Sequence, residues 1–188
     1  DHSVDLTGKR VAVIGTGASA IQFVPGIQPT AGHVTVFQRS APYVVPKPDI
    51  GYSRARRALY ARVPGTQAFG RNLTWVLSEQ LNKSLTGTAP MKKLMEAGWH
   101  ALLRAQVRDP ELRAKLKPDY PIGCKRLLFS NDWYPTLVKP NVDVVTHGVV
   151  EVLPDGVRSA DGTVHPADVI IWGTGFAATE FLAPMKVQ

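Results

Sequence analysis

Residues 10–20 read Arg-Val-Ala-Val-Ile-Gly-Thr-Gly-Ala-Ser-Ala. The first six are a short apolar run, rich in β-branched residues, that stops at glycine. That pattern suits a strand buried on both faces of a parallel sheet. Gly15-Thr16-Gly17-Ala18-Ser19-Ala20 then has the spacing G-x-G-x-x-A. The first glycine permits a tight turn, the second lets a pyrophosphate approach the backbone, and the small third residue lets helix and strand pack closely. A helix starting there offers free amide donors and the positive end of its dipole to phosphate. Ile21, Phe23, Val24 and Ile27 mark such a helix before Pro29, and after a turn at residues 30–32 a second apolar strand covers 33–38. Strand, glycine turn, helix and strand within about 30 residues make a βαβ unit with a right-handed crossover. Alone the glycine motif is weak; its place between a strand and a helix makes it a candidate nucleotide loop.

Outward from this unit, the 188 residues are enough for one domain with an insertion. Hydrophobic residues at 44% and charged residues at 20% describe a globular chain. No apolar run approaches the roughly 18 residues of a membrane span. A single cysteine, Cys124, excludes an internal disulfide framework and a Cys-rich metal site, and the histidines at 2, 33, 100, 147 and 165 lack metal-ligand spacing. The chain opens at Asp1-His2-Ser3, carries its methionines internally (Met91, Met95, Met185) and shows no signal-peptide pattern. The expectation is a cytoplasmic protein in a reducing compartment, and a piece of a longer one.

Between residues 51 and 118 the character changes. This segment holds 13 Lys and Arg against 4 Asp and Glu, a balance of +9, while the remainder of the chain is at −2, which gives the net +7. Helices are expected near 53–62, 67–85 and 91–107, with a last short one opening at Asp109-Pro110-Glu111, a capping acceptor followed by proline at the first helical position. Strands return at 142–146, 149–153 and 169–172, with turns at Pro154-Asp155-Gly156 and Asp161-Gly162, which suggests an antiparallel meander in place of a crossover helix. The expected architecture is α/β: a Rossmann-like, three-layer nucleotide-binding domain formed by residues 1–50 and 119–188, with a parallel sheet, a β-meander crossover and an α-helical insertion at 51–118. Aromatics within the insertion (Tyr52, Tyr60, Phe69, Trp75, Trp99) sit among basic residues, so a non-catalytic nucleic-acid-binding module competes as a reading. Helical periodicity instead assigns these aromatics to the core and the charges to a solvated face.

The end of the second strand discriminates between dinucleotides. A site for NAD has an acidic residue there to accept from the ribose 2′-hydroxyl. This chain has Gln38-Arg39-Ser40. A guanidinium can pair with a 2′-phosphate through two parallel hydrogen bonds, and the serine hydroxyl can donate a third, so NADP is preferred. Further on, Lys125 and Arg126 lie side by side; on an extended segment they point to opposite sides and could serve two anions, although on physical grounds alone a solvated basic pair is the better reading. The run Asp168-Val-Ile-Ile-Trp-Gly-Thr-Gly-Phe176 is a buried strand ending in Gly173-Thr174-Gly175, and ligands of doubly wound sheets sit outside the carboxyl ends of strands. Tyr43 and Lys47 match a Y-x-x-x-K spacing, but prolines at 42, 46 and 48 forbid the helix that pair needs.

Taken together, the GTGASA loop, Gln38-Arg39-Ser40, PIGCKRLLFSNDWYPTL at 121–137 and DVIIWGTGF at 168–176 resemble the NADPH domain of flavin-dependent Baeyer–Villiger monooxygenases. The order and spacing match over nearly the whole chain, and the Lys125-Arg126 pair is the most specific piece. Gly173 departs from the family's usual alanine, a small-for-small change. The resemblance implies that Gly15, Thr16, Gly17, Ala18, Ser19, Ala20 and Gln22 hold the pyrophosphate and nearby groups, with Thr174 and Gly175 beside them. It implies that Arg39, Ser40 and Lys125 hold the 2′-phosphate, and that Arg126 is the active-site arginine beside nicotinamide and flavin, a fixed cation aimed at developing negative charge. The implied cofactors are NADPH and FAD. The implied reaction uses NADPH to reduce the flavin, takes up O2 and inserts one oxygen atom beside a carbonyl, giving an ester or lactone. Neither a second strand–glycine–helix unit for the flavin nor the family's long fingerprint occurs in the sequence, so the expectation is an NADP domain that is inactive by itself. Oxidation at nitrogen or sulfur is the alternative within the wider flavin-containing monooxygenases. A disulfide reductase of the thioredoxin reductase type is weakened by the single cysteine and by Ser40-Ala41 after Arg39. The implied partners are a small carbonyl substrate and O2, with neither nucleic acid nor membrane.

Overall fold

β1 (Arg10–Ile14) lies between two neighbours, and that position follows from its unbroken apolar sequence. The computed structural model describes residues 4–49 and 51–175; residues 1–3 and Phe176, quoted above, lie outside that range. After β1 come α1 (Ala20–Ile27) and β2 (His33–Phe37), completing the βαβ unit anticipated from the glycine spacing. β1 and β2 run parallel with Arg10 opposite His33 and Ile14 opposite Phe37. Two short strands, β3 (Val44–Val45) and β4 (Leu128–Phe129), pair in parallel across the helical segment.

That segment holds α2 (Arg54–Arg62), α3 (Thr66–Thr86), α4 (Ala89–Gln106) and α5 (Pro110–Lys115). Ser53 caps α2 by accepting the Arg56 N–H at 3.2 Å, and Asp109 caps α5 by accepting from Glu111 and Leu112 at 3.0 and 3.2 Å. Only α4 reaches deeply into the core. Its Trp99 and Leu103 are buried, as is Val107 just after it, and Trp99 Nε1 donates to the Val44 carbonyl at 3.1 Å. The assignment of all five insertion aromatics to the core is corrected here. Trp99 is buried and Tyr60 partly so, whereas Tyr52, Phe69 and Trp75 are exposed, Phe69 to 71%. Apolar periodicity identifies a helix, but among the described residues α3 has no buried one, and only Leu85 near its end packs against the core.

Beyond β4, α6 (Trp133–Leu137) leads to β5 (Val142–Val145), and the antiparallel strands β6 (Val149–Leu153), β7 (Gly156–Ser159) and β8 (Val164–Pro166) form the anticipated meander before β9 (Val169–Trp172). The main sheet has the order β5-β2-β1-β9, parallel throughout. Its side chains alternate between two cores. Val11, Val13, Val34 and Val36 pack with Ile21 and Val24 of α1 and Trp133 and Leu137 of α6. Ala12 and Phe37 pack with Val157 and Ala167 of the meander segment. Each fully buried valine or larger side chain contributes about 1.5–3 kcal/mol, which makes this alternation the dominant local force.

Arg10 and Asp168 pin the entry of the sheet. The Asp168 carboxylate accepts the Arg10 backbone N–H at 2.8 Å, Nε at 3.1 Å and Nη2 at 2.5 Å. These bonds hold the Asp168 carboxyl well below the usual carboxylate range. A depressed carboxyl pKa stabilises the fold above the unfolded-state value near 4 and loses that contribution as pH falls through the folded value. Asp168→Asn is therefore expected to lower the melting temperature at pH 7. The difference from the parent chain should shrink steadily as the melts are taken below about pH 4. A constant difference down to the lowest pH would show that the ionised pair is not responsible.

Candidate functional site

Parallel strands deliver their carboxyl ends to one edge, and the candidate site lies along it. Gly15 leaves β1 with φ +108°, and its N–H donates to the Phe37 carbonyl at 2.9 Å. A Cβ placed on Gly15 would stand 2.4 Å from the Gly173 carbonyl oxygen, so glycine is required by conformation and by space together. At Gly17 the nearest atom to such a Cβ is 3.9 Å away, which leaves this backbone open to an approaching ligand. Ala20 is fully buried at the start of α1, and a Cβ on Gly173 would meet the Ala20 Cβ at 3.6 Å. The three small positions of the loop thus have three different causes. Ser19 precedes α1 without a side-chain capping bond, and Gln22 folds back to donate from Nε2 to the Ala18 carbonyl at 2.9 Å. Thr174 and Gly175 follow β9, with the Thr174 nitrogen 3.3 Å from where a Gly15 Cβ would stand and Gly175 in the left-handed region.

From the end of β2, Gln38 is buried: its N–H donates to Val145 and its Nε2 to the Lys115 carbonyl, both at 2.8 Å. The next two residues turn outward. The Ser40 carbonyl accepts from Thr16 Oγ1 at 3.4 Å, tying this turn to the glycine loop. Ser40 Oγ accepts from Lys125 Nζ at 3.1 Å, bringing together residues 85 positions apart. Lys125 Nζ also stands 4.2 Å above the centre of the Tyr120 ring. Arg39, Ser40 and Lys125 are exposed or half-exposed, and among the described residues no carboxylate pairs with Arg39, Lys125 or Arg126. A lysine ammonium and a serine hydroxyl thus meet near the glycine loop, with Arg39 next to Ser40 in sequence, an arrangement whose chemistry suits an anion.

Arg126 goes elsewhere. It lines a cavity of about 570 Å³ with Ala18 and Gln22 of the loop and helix, Lys47, Phe129 and Asn131. Asn131 shapes one wall by accepting the Lys47 N–H at 2.9 Å and donating to the Lys47 carbonyl at 3.0 Å. Adjacent cations therefore face different surroundings, one the end of β2 and the other this cavity.

Several residues that build the site carry no sequence motif. Tyr43 donates to the Tyr120 carbonyl and Tyr120 to the Ala41 carbonyl, each at 3.0 Å, forming a reciprocal clasp. Burial pushes the Tyr43 hydroxyl up to about 12, with the Glu96 carboxylate adding to the effect, and burial raises Tyr120 also. Tyr43 was visible only as part of the Y-x-x-x-K spacing, and it directly precedes β3 rather than lying on a helix. Glu96 of α4 accepts the Ile122 N–H at 2.9 Å, and Gly123, at φ +90°, meets the Leu85 carbonyl so closely that a Cβ would stand 2.8 Å from it. The helical segment thereby fixes the loop that carries Lys125 and Arg126. Cys124, between them and Gly123, is exposed and unpaired by disulfide.

No protein-family model matches the chain. Over 180 residues, 96% of its length, it is 47% identical to a Baeyer-Villiger monooxygenase of Streptomyces coelicolor, of which it covers 35%. Among solved structures it is similar to an oxidized steroid monooxygenase bound to NADP, with a TM-score of 0.77 and 28% identity over 93% of this chain and 40% of that one. It is also similar to OTEMO in complex with FAD and NADP, with a TM-score of 0.73 and 28% identity over 93% and 39%. The chain is thus homologous to a segment of the Baeyer–Villiger monooxygenases and spans a little over a third of the length of the curated relative.

The two loop glycines separate fold from ligand. Gly15→Ala is expected to cost more than about 2 kcal/mol, roughly 4–8 °C in melting temperature. Gly17→Ala should change stability by less than about 1 kcal/mol yet sharply weaken dinucleotide binding. Melts and cofactor titrations of both variants check this; a larger melting loss at Gly17 than at Gly15 would contradict the geometry.

Proposed function

We propose that this chain is the NADP-binding part of an FAD-dependent Baeyer–Villiger monooxygenase, with a Rossmann-like, three-layer domain made of residues 1–50 and 119–188 and a helical insertion at 51–118. The observation that carries the reading is the contact of Lys125 with Ser40 beside Arg39, at the strand end where an NAD site has a carboxylate. Arg39, Ser40 and Lys125 hold the 2′-phosphate. Thr16, Gly17, Ala18 and Ser19 present backbone to the pyrophosphate at the head of α1, with Gly15, Ala20, Gln22, Thr174 and Gly175 shaping that loop. The residues present fit the nucleotide: the open backbone at Gly17 and the unpaired cations suit a polyanion that approaches closely.

When bound, NADPH supplies hydride to the flavin, and the reduced flavin supplies the oxygen chemistry that acts on a carbonyl substrate. Arg126 keeps a permanent guanidinium charge in the cavity beside α1 and stabilises negative charge that develops there during oxygen insertion. Asn131 and Lys47, hydrogen-bonded to each other, line the same cavity. The separation of Lys125 from Arg126 divides the labour, one binding the cofactor's distal phosphate and the other acting at the reacting end. No flavin-holding residue is assigned within this chain. Among the described residues no helix is long and apolar enough to cross a membrane, and the single, unpaired cysteine suits the reducing cytoplasm.

Arg39→Ala is expected to weaken NADPH binding by about 10- to 100-fold while leaving NADH within a few-fold, because only the phosphate contact is removed. Equal losses for both cofactors would reduce Arg39 to a structural role. Arg126→Ala should leave NADPH affinity of the 188-residue chain nearly unchanged, yet abolish ester formation when placed in a complete flavin-containing enzyme that carries this sequence. Ester formation at the normal rate in that variant would remove Arg126 from the chemistry.

A further inference from the structure

We infer that Tyr120 is a positioning residue that sets the preference for NADP over NAD by holding the Lys125 ammonium against Ser40. The inference rests on the proposed role of Lys125 as a ligand of the 2′-phosphate. Lys125 lies on an exposed stretch, and a free lysine has large rotamer freedom to lose when it grips a ligand. Here that freedom is already restricted, because the ammonium sits 4.2 Å over the Tyr120 ring and donates to Ser40 Oγ at 3.1 Å. Tyr120 is itself anchored on both sides. Its hydroxyl donates to the Ala41 carbonyl, and its own carbonyl accepts from Tyr43, whose ring packs edge-on to it with centres 5.6 Å apart. Tyr43 in turn meets the buried Trp99 of α4 at 4.8 Å. One aromatic therefore ties the lysine to the residue next to Ser40, and the core of the helical segment backs it.

Such a restraint has a specific signature. Only NADP carries the 2′-phosphate, so placing the ammonium in advance favours NADP and is indifferent to NAD. A merely structural tyrosine would, on removal, weaken both cofactors alike. Binding of NADP+ and NAD+ to the 188-residue chain should be measured by calorimetry for the parent, Tyr120→Leu, Tyr120→Phe, Lys125→Ala and the Tyr120→Leu/Lys125→Ala double variant. Tyr120→Leu is expected to reduce the NADP+/NAD+ preference by roughly 3- to 30-fold. Tyr120→Phe, which keeps the ring under the ammonium, should retain most of that preference. The double variant should show no more loss than Lys125→Ala alone, since the tyrosine acts through the lysine.

If Lys125→Ala loses the preference but Tyr120→Leu keeps it, or weakens both cofactors equally, the role of Tyr120 is overturned while the phosphate reading stands. If Lys125→Ala leaves the preference intact, the lysine is not a phosphate ligand and both fail. Should Tyr120→Leu not fold, the parent chain decides by nuclear magnetic resonance. The ε-methylene protons of Lys125 must then be shifted upfield by the Tyr120 ring current, and an unshifted signal overturns the inference.

Discussion

The carbonyl of Gly173 occupies the space that a side chain on Gly15 would need, and the candidate site depends on that close approach. It lets β1 and β9 end side by side, with Gly173 N–H donating to the Ile14 carbonyl at 2.8 Å. The same turn satisfies the Phe37 carbonyl through the Gly15 N–H, which sets the end of β2 beside the glycine loop. From there Arg39 and Ser40 have nowhere to go but outward, because Gln38 is locked into the interior by bonds to Val145 and Lys115. A single steric requirement thereby fixes the edge on which the cofactor-binding groups of the proposed function lie.

Electrostatics then sort the ligands along this edge. Carboxylates elsewhere engage cations in pairs, as Asp168 does with Arg10 and Asp49 with Lys47. Around Arg39, Lys125 and Arg126 the described residues form no such ion pair, and under the proposed function these charges meet a bound anion. Lys125 and Arg126 are neighbours in sequence but not in function under this account, since one is drawn to Ser40 and Tyr120 and the other lines the cavity beside α1. The helical segment contributes by bracing the loop that carries both cations, through Glu96 on Ile122 and the Leu85 carbonyl against Gly123.

Much of this was legible in the chain because local chemistry specified it. The run from Arg10 to Ala20 encodes strand, turn and helix start by itself, and the cap at Asp109 is written in residue type and spacing. Arg39 stood out because a carboxylate was missing at a defined position. Strands β3 and β4 were not legible: two residues each give no periodicity, and their pairing spans the whole insertion. α6 was hidden by its brevity and by Pro135 within it. The clasp of Tyr43 and Tyr120 and the contact of Lys125 with Ser40 exist only after the fold brings distant segments together. Exposure of Phe69 and Trp75 was equally hidden, since an apolar stripe reports a helix and not what covers it.

The central claim is that this edge grips a ribose 2′-phosphate through Arg39, Ser40 and Lys125. Calorimetric titration of the chain with 2′,5′-ADP and with 5′-AMP, two ligands that differ only in that phosphate, tests it most directly. The account predicts that 2′,5′-ADP binds at least about tenfold more tightly than 5′-AMP, since one charge-assisted phosphate contact is worth 1.5 kcal/mol or more. Equal affinity for the two would contradict it.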